Sequence, residues 1–331
     1  MTLPTPPTPS TRPATDWNEL SLDDYAARVL ASGHVQRLLE LCVDEDLGTS
    51  GKPGDVTSLL CEPERESDAP VNAELRSRQL ATVAGLAFVP AICQAFSESA
   101  VTWQPAIADG TRVEPGALLG QLSGPRASVL AIERTMLNLV SRLSGIATLT
   151  GRYIDAIRDA GADPDRVRLL DTRKTTPGHR LIEKYAVRCG GGYSHRIGLY
   201  DAVLVKDNHI AMATGGLESI LSELKTARDR FTLQFVEIEV DSLEQFKTVL
   251  KAEQASPGLV DIVLLDNMPP ETLREAVAMR DGVGSRILLE ASGGITLETI
   301  GAVALTGMDR ISTGAITHQA RSVDFGLDAG T

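Results

Sequence analysis

The chain lacks the features that mark several large classes of protein. Only four cysteines occur in its 331 residues, Cys42, Cys61, Cys93 and Cys189, far apart and with no C-x-x-C pair. That spacing argues against a disulfide or zinc framework and fits a reducing cytoplasm. No apolar run reaches the roughly 18 residues of a membrane-spanning helix, so none is expected. The opening MTLPTPPTPSTRPATD carries neither a basic nor an apolar segment, and a signal peptide is not expected there. Basic charge is scarce as well: 32 Lys+Arg face 44 Asp+Glu, for a formal charge of −12. Such an acidic excess excludes a general nucleic-acid binder. It also sets a problem, because the average field would repel any anionic ligand.

What is present is enough for a core. The chain is 43% hydrophobic, and its length suggests about two domains. Residues 1–18 hold a Pro/Thr-rich stretch without apolar periodicity and read as a disordered tail. A helix is expected from Leu22 to about Asp46, and short alternating runs between Val71 and Leu122 read as strands of an antiparallel or mixed sheet. The turn DGTRVEPGALLGQLSG resembles that of a biotinyl carrier, but no lysine lies between Lys52 and Lys174 to be modified, so a carrier role is rejected. A helical segment spans about 128–149. A strand–helix rhythm follows, with candidate strands at 167–171, 202–206, 235–240, 261–266, 286–290 and 310–313. Near-continuous apolar runs separated by helices imply buried parallel strands. A β/α barrel is favoured, with an open doubly wound sheet as the alternative.

The active site of such a barrel lies at the C-terminal ends of its strands. Those ends carry Asp171 to Thr176, Lys206 to His209, Glu237 and Glu239 at alternating positions, Asp266-Asn267, Ser292-Gly293-Gly294 and Ser312-Thr313-Gly314. Residues 171–209 hold seven Lys/Arg against four acids, whereas residues 1–130 hold nine against seventeen. Positive charge thus collects in the segment that would build the site, which suits a multiply anionic small molecule. Glycines in SGGIT and STGA, each followed by a helix, suit phosphate. Blander readings stand beside these. Arg180, Glu183, Lys184 and Arg188 fit a solvated helix face, Cys189 a core stripe, His179 and His318 surface caps, and Asp171 a turn cap. Lys206 resists such a reading, since a lysine buried in a parallel strand without a partner is costly. It would be a Schiff-base nucleophile or an anion ligand.

Several stretches resemble the quinolinate phosphoribosyltransferase family, the decarboxylating nicotinate-nucleotide pyrophosphorylases. They are EDLG…GDVTS (45–58), ERTMLNLVSRLSGIAT (133–148), DTRKTTPGHRLIEKYAVRCGGGYSHRIGLYDAVLVKDNHI (171–210), VEIEV (236–240), LLDN (264–267), EASGGIT (290–296) and ISTGAITH (311–318). The resemblance implies an N-terminal α/β open-faced sandwich over residues 19–136, joined by 318–331, and an incomplete seven-stranded β/α barrel over 137–317. It implies transfer of phosphoribosyl from 5-phosphoribosyl-1-pyrophosphate to quinolinate with decarboxylation, dependent on Mg²⁺. It also implies a cytoplasmic homodimer, or a hexamer of such dimers, with no nucleic acid or membrane as partner. Arg134 would complete the neighbour's site, and Arg173 and Arg196, aided by His195, would clamp the quinolinate carboxylates. Lys174 and Lys206 would meet anionic groups, and Glu239 and Asp266 would contact ribose and position Mg²⁺. Ser292, Gly293, Gly294 and Gly314 would hold the 5-phosphate. Ser194 departs from the family, which commonly has Asn before the His-Arg pair. The alternatives are a phosphoribosyltransferase of the same fold acting on nicotinate or another base, a Schiff-base aldolase using Lys206, and a non-catalytic binder.

Overall fold

In the computed structural model, which describes residues 16–49, 54–61, 70–97 and 100–329, the chain separates into two units. One comprises Glu19–Arg152, Lys174–Tyr193 and the residues from Gly314 on. The other comprises Tyr153–Arg173, Ser194–Thr313 and the described residues up to Asn18. These divisions run elsewhere than the limits at 136/137 and 317/318 expected from sequence. The helix Arg126–Asp159 is unbroken for 34 residues, so residue 137 lies in its interior.

In the N-terminal unit the helix expected over 22–46 is two helices, Leu22–Ala31 and His34–Leu47. Gly33 between them has φ 72°, a left-handed conformation that breaks the hydrogen-bond ladder while the apolar spacing continues across it. Tyr25 and Val29 on the first helix and Val35 and Leu39 on the second are all buried. Among the described residues five strands follow in this unit: β1 (Pro70–Ser77), β2 (Ala81–Thr82), β3 (Thr102–Pro105), β4 (Arg112–Val113) and β5 (Leu118–Pro125). Ala73, Leu75 and Ser77 of β1 face inward at period two. The C-terminal strand, Phe325–Ala329, numbered β12, pairs antiparallel with β1, giving a sheet in the order β12-β1-β5-β3. Strands β2 and β4 pair separately. Gly145 on the long helix admits the returning chain, because a Cβ there would lie 2.0 Å from the Arg321 carbonyl oxygen.

The other unit holds a parallel sheet of β6 (Arg168–Leu170), β7 (Val203–Val205), β8 (Val236–Val240), β9 (Ile262–Asp266), β10 (Leu288–Ser292) and β11 (Arg310–Ser312). Each of the six lies within a run expected from sequence, or within two residues of it. The resemblance implies a seventh, and among the described residues six enter this sheet. Their order is β6-β11-β10-β9-β8-β7. Chain neighbours are sheet neighbours from β7 to β11, and the order has no reversal of the kind a doubly wound sheet carries. All five residues of β8 are buried, which accounts for its lack of simple alternation.

The expected tail ends earlier than residue 18. Residues 1–15 lie outside the described residues, but Trp17–Glu19 forms a 3₁₀ turn. Asn18 bonds both backbone groups of Ser194, donating from Nδ2 at 2.9 Å and accepting at Oδ1 at 2.7 Å. No described helix is long and apolar enough to cross a membrane.

Candidate active site

The strand ends of the parallel sheet bring charged groups together in one unit. Asp171, following β6, is fully buried and accepts the His195 N–H at 2.9 Å, so it ties a loop distant in sequence instead of capping the next turn. Two residues on, the Arg173 Nε is buried with no hydrogen-bond partner among the described residues. Arg196 is 5% exposed, and a terminal nitrogen of its guanidinium donates to the Ala202 carbonyl at a long 3.4 Å. Burial, and then the charge of Arg173 beside it, lowers the pKa of its guanidinium. Two like charges are held close here, each with donors to spare.

His195 does not join them as expected. Its Nδ1 accepts the Arg196 N–H at 2.8 Å, and its Nε2 lies 3.1 Å from Glu237 and 3.3 Å from Glu290. The ring turns toward these two fully buried acids, and Phe235 packs edge-on against it. Burial opposes charge on the ring, but Glu290 and Glu237 outweigh it and hold the imidazole up to about 9. Burial and Glu290 push the Glu237 carboxyl up, and the group titrates as a unit. Glu290 is held low although burial works against it, by His195 and then by Arg310, whose Nε donates to it at 2.7 Å.

Lys206 Nζ meets Glu239 Oε2 at 2.5 Å, with the lysine side chain 44% exposed. The burial that made Lys206 a Schiff-base candidate is therefore absent. Asp266 ends β9, and its pKa is raised by burial and then by Glu239, while Asn267 Nδ2 donates to it at 2.8 Å. Two neighbouring carboxylates make a hard-oxygen donor set that suits Mg²⁺, which binds through one or two carboxylates plus waters and substrate phosphates. The residues fit that ion.

The glycine loops are placed partly as expected. Gly293 and Gly294 have φ 86° and 62°. A Cβ on Gly293 would lie 2.3 Å from Asn267 Oδ1, so only glycine lets the ends of β9 and β10 approach. No helix follows at once, however. The next one, Ile300–Ala304, is five residues long and starts too late to lend its end to this loop. Gly314, Lys174 and Arg134 fall in the N-terminal unit. There a Cβ on Gly314 would lie 2.8 Å from Lys174 Cδ, which puts those two together. Arg134 lies exposed on the long helix, with no hydrogen bond or ion pair among the described residues.

One bland reading is overturned. Glu183 and Lys184 are fully buried, not solvated. Glu183 accepts from Arg142 at 3.0 Å and from the Thr176 hydroxyl at 2.8 Å. Cys189 is buried in the core, and burial raises its thiol. Sequence reasoning missed Glu290, Asp201 and Asn18 as participants. An acid ending the apolar run RILLE was a usable signal for Glu290, since an unpaired charge there would be costly.

The family model "Quinolinate phosphoribosyl transferase, N-terminal domain" matches residues 55–144, and its C-terminal counterpart matches 146–328. A probable nicotinate-nucleotide pyrophosphorylase (carboxylating) of Bacillus subtilis is 38% identical over 297 residues, covering 89% of this chain and 93% of that one. A Mycobacterium leprae protein named as a nicotinate-nucleotide pyrophosphorylase is 43% identical over 222 residues, 67% of this chain and 73% of its own. The solved nicotinate-nucleotide pyrophosphorylase of Francisella tularensis superposes with a TM-score of 0.79 at 34% identity, covering 96% of this chain and 99% of that one.

Proposed function

The chain belongs to the quinolinate phosphoribosyltransferase family, and we propose a division of labour among its residues for that family's reaction. It is a pentosyltransferase. It transfers phosphoribosyl from 5-phosphoribosyl-1-pyrophosphate to quinolinate with decarboxylation, giving nicotinate mononucleotide, pyrophosphate and CO₂ in de novo NAD biosynthesis.

The observation that supports the division is the pairing of Arg173 with Arg196. Two adjacent guanidinia, one with a buried orphan Nε, suit the two neighbouring carboxylates of quinolinate. His195 serves this clamp through the Arg196 amide. With the ring so oriented, its nitrogen attacks ribose C1 as pyrophosphate leaves, and the bimolecular encounter becomes an oriented one. Glu239 and Asp266 face the positive charge that develops at C1 and bind the ribose hydroxyls. Lys174 and Lys206 meet the anionic groups, with Lys206 exchanging Glu239 for a substrate oxygen. Ser292, Gly293, Gly294 and Gly314 hold the 5-phosphate. Mg²⁺, held by Glu239 and Asp266 directly or through water, would offset charge on the pyrophosphate. N-alkylation makes the ring cationic, so the carboxylate beside the nitrogen leaves as CO₂. The electron pair stays at that ring carbon, which then takes a proton from solvent. No protein nucleophile is needed.

The sheet order supports a β/α barrel left open between β6 and β7 for one unit, and an N-terminal open-faced sandwich is the reading of the other. A cytoplasmic homodimer, or a hexamer of such dimers, is part of the same reading, with the neighbour's Arg134 entering each site. Exposed Leu130 lies one turn before the exposed Arg134, which has no pair among the described residues, as a contact face requires. Nicotinate has a single carboxylate and would leave one guanidinium unused. Arg173→Ala and Arg196→Ala should each abolish quinolinate turnover while the melting temperature stays near wild type. Wild-type use of quinolinate by either variant would overturn the clamp.

A further inference from the structure

Arg196 sits in the middle of five consecutive amides, each of which donates to a side chain. Ser194 N–H donates to Asn18 Oδ1 at 2.7 Å, His195 N–H to Asp171 Oδ1 at 2.9 Å, and Arg196 N–H to His195 Nδ1 at 2.8 Å. Ile197 and Gly198 both donate to the Asp201 carboxylate, at 2.7 and 2.9 Å. The loop therefore takes its shape from side chains and not from a regular backbone ladder. The His195 ring is tethered in turn, with Nε2 between Glu237 on β8 and Glu290 on β10, and Arg310 on the far oxygen of Glu290. Through the ring, the position of the Arg196 amide is referred to two strands of the sheet.

Such a frame needs a reason. Two fully buried carboxylates are expensive, and an apolar pair of similar size would be cheaper for stability alone. The trio brings three ligand-type atoms within 4.8 Å of one another, which resembles a metal site. The hydrogen bonds speak against that use. Because Nδ1 accepts an N–H, Nε2 carries the ring hydrogen and has no lone pair to offer. The demand lies with Arg196 itself. It is kept beside Arg173 against like-charge repulsion, and an unanchored loop would let it swing away.

We propose that Asn18, Glu237 and Glu290 are positioning residues for quinolinate binding, which fix the direction of Arg196 through residues 194–198 without touching substrate. The proposal rests on the reading of Arg196 as a carboxylate ligand. Its test is the dissociation constant of quinolinate, measured by calorimetry on the whole chain, with 5-phosphoribosyl-1-pyrophosphate titrated as the control. Asn18→Ala and Glu237→Ala should weaken quinolinate about 10- to 100-fold, the scale of a misplaced binding group. Affinity for 5-phosphoribosyl-1-pyrophosphate should move by less than about twofold. Glu237→Gln, which keeps the size of the side chain and a polar oxygen beside Nε2, should recover most of the loss. In an Arg196→Ala background neither alanine variant should weaken quinolinate further, because the group they act through is gone. Equal loss for both ligands, or losses that multiply in the Arg196→Ala background, would overturn the proposal. Should Glu237→Ala not fold, half-buried Asn18 carries the test. Should Arg196→Ala alone leave quinolinate affinity unchanged, the clamp reading fails, which is a separate outcome.

Discussion

Replacing Glu183 by alanine separates two accounts of the helix Arg180–Cys189. On a solvated face its pair with Arg142 would contribute about 0–1 kcal/mol. In the structure Glu183 has no exposure, and its carboxylate accepts from Nε and a terminal nitrogen of Arg142 and from the Thr176 amide and hydroxyl. Among the described residues, removing it leaves the Arg142 charge, 24% exposed and otherwise bonded only to the Thr317 and Ala320 carbonyls, without a counter-ion. Breaking a buried pair from one side costs about 3–5 kcal/mol. At 2–4 °C per kcal/mol for a sizeable domain, the apparent melting temperature should fall by roughly 6–20 °C. The double replacement Arg142→Met with Glu183→Leu should lose much less, because no orphan charge remains. Thermal melts of the three proteins check this. A fall of about 2 °C or less for Glu183→Ala would refute the reasoning and restore the solvated reading.

One further outcome follows from the site. Arg134→Ala, being exposed, should alter stability by less than about 0.5 kcal/mol yet abolish activity. Mixed with equally inactive Arg173→Ala chains, it should recover about a quarter of wild-type activity, since half the dimers then hold one intact site. No recovery on mixing would mean that Arg134 serves its own chain.

The six strands of the parallel sheet were legible because each is an apolar run bounded by polar turns, and the strand ends then named Arg173, Lys206, Glu239, Asp266 and Ser292. What escaped the sequence was the partner of each group. The apolar spacing of residues 22–46 runs through Gly33, so one helix was read where the left-handed glycine makes two. A helical wheel places Glu183 and Lys184 on a polar face but cannot show that the chain around Arg142 covers it. The sequence sets His195 with the arginines because the acids that turn its ring away, Glu237 and Glu290, come from later strands. By composition Asn18 falls in the tail, because the Pro/Thr-rich stretch extends up to the turn that holds it.

The central claim is that quinolinate loses a carboxyl group as it gains phosphoribosyl. It is tested most directly by incubating the protein with Mg²⁺, 5-phosphoribosyl-1-pyrophosphate and quinolinate labelled with ¹⁴C in the carboxyl beside the ring nitrogen. The account predicts labelled CO₂ released in equal amount with nicotinate mononucleotide and pyrophosphate, and none when 5-phosphoribosyl-1-pyrophosphate is omitted. Nucleotide formed from nicotinate in preference, with no label released from quinolinate, would contradict it.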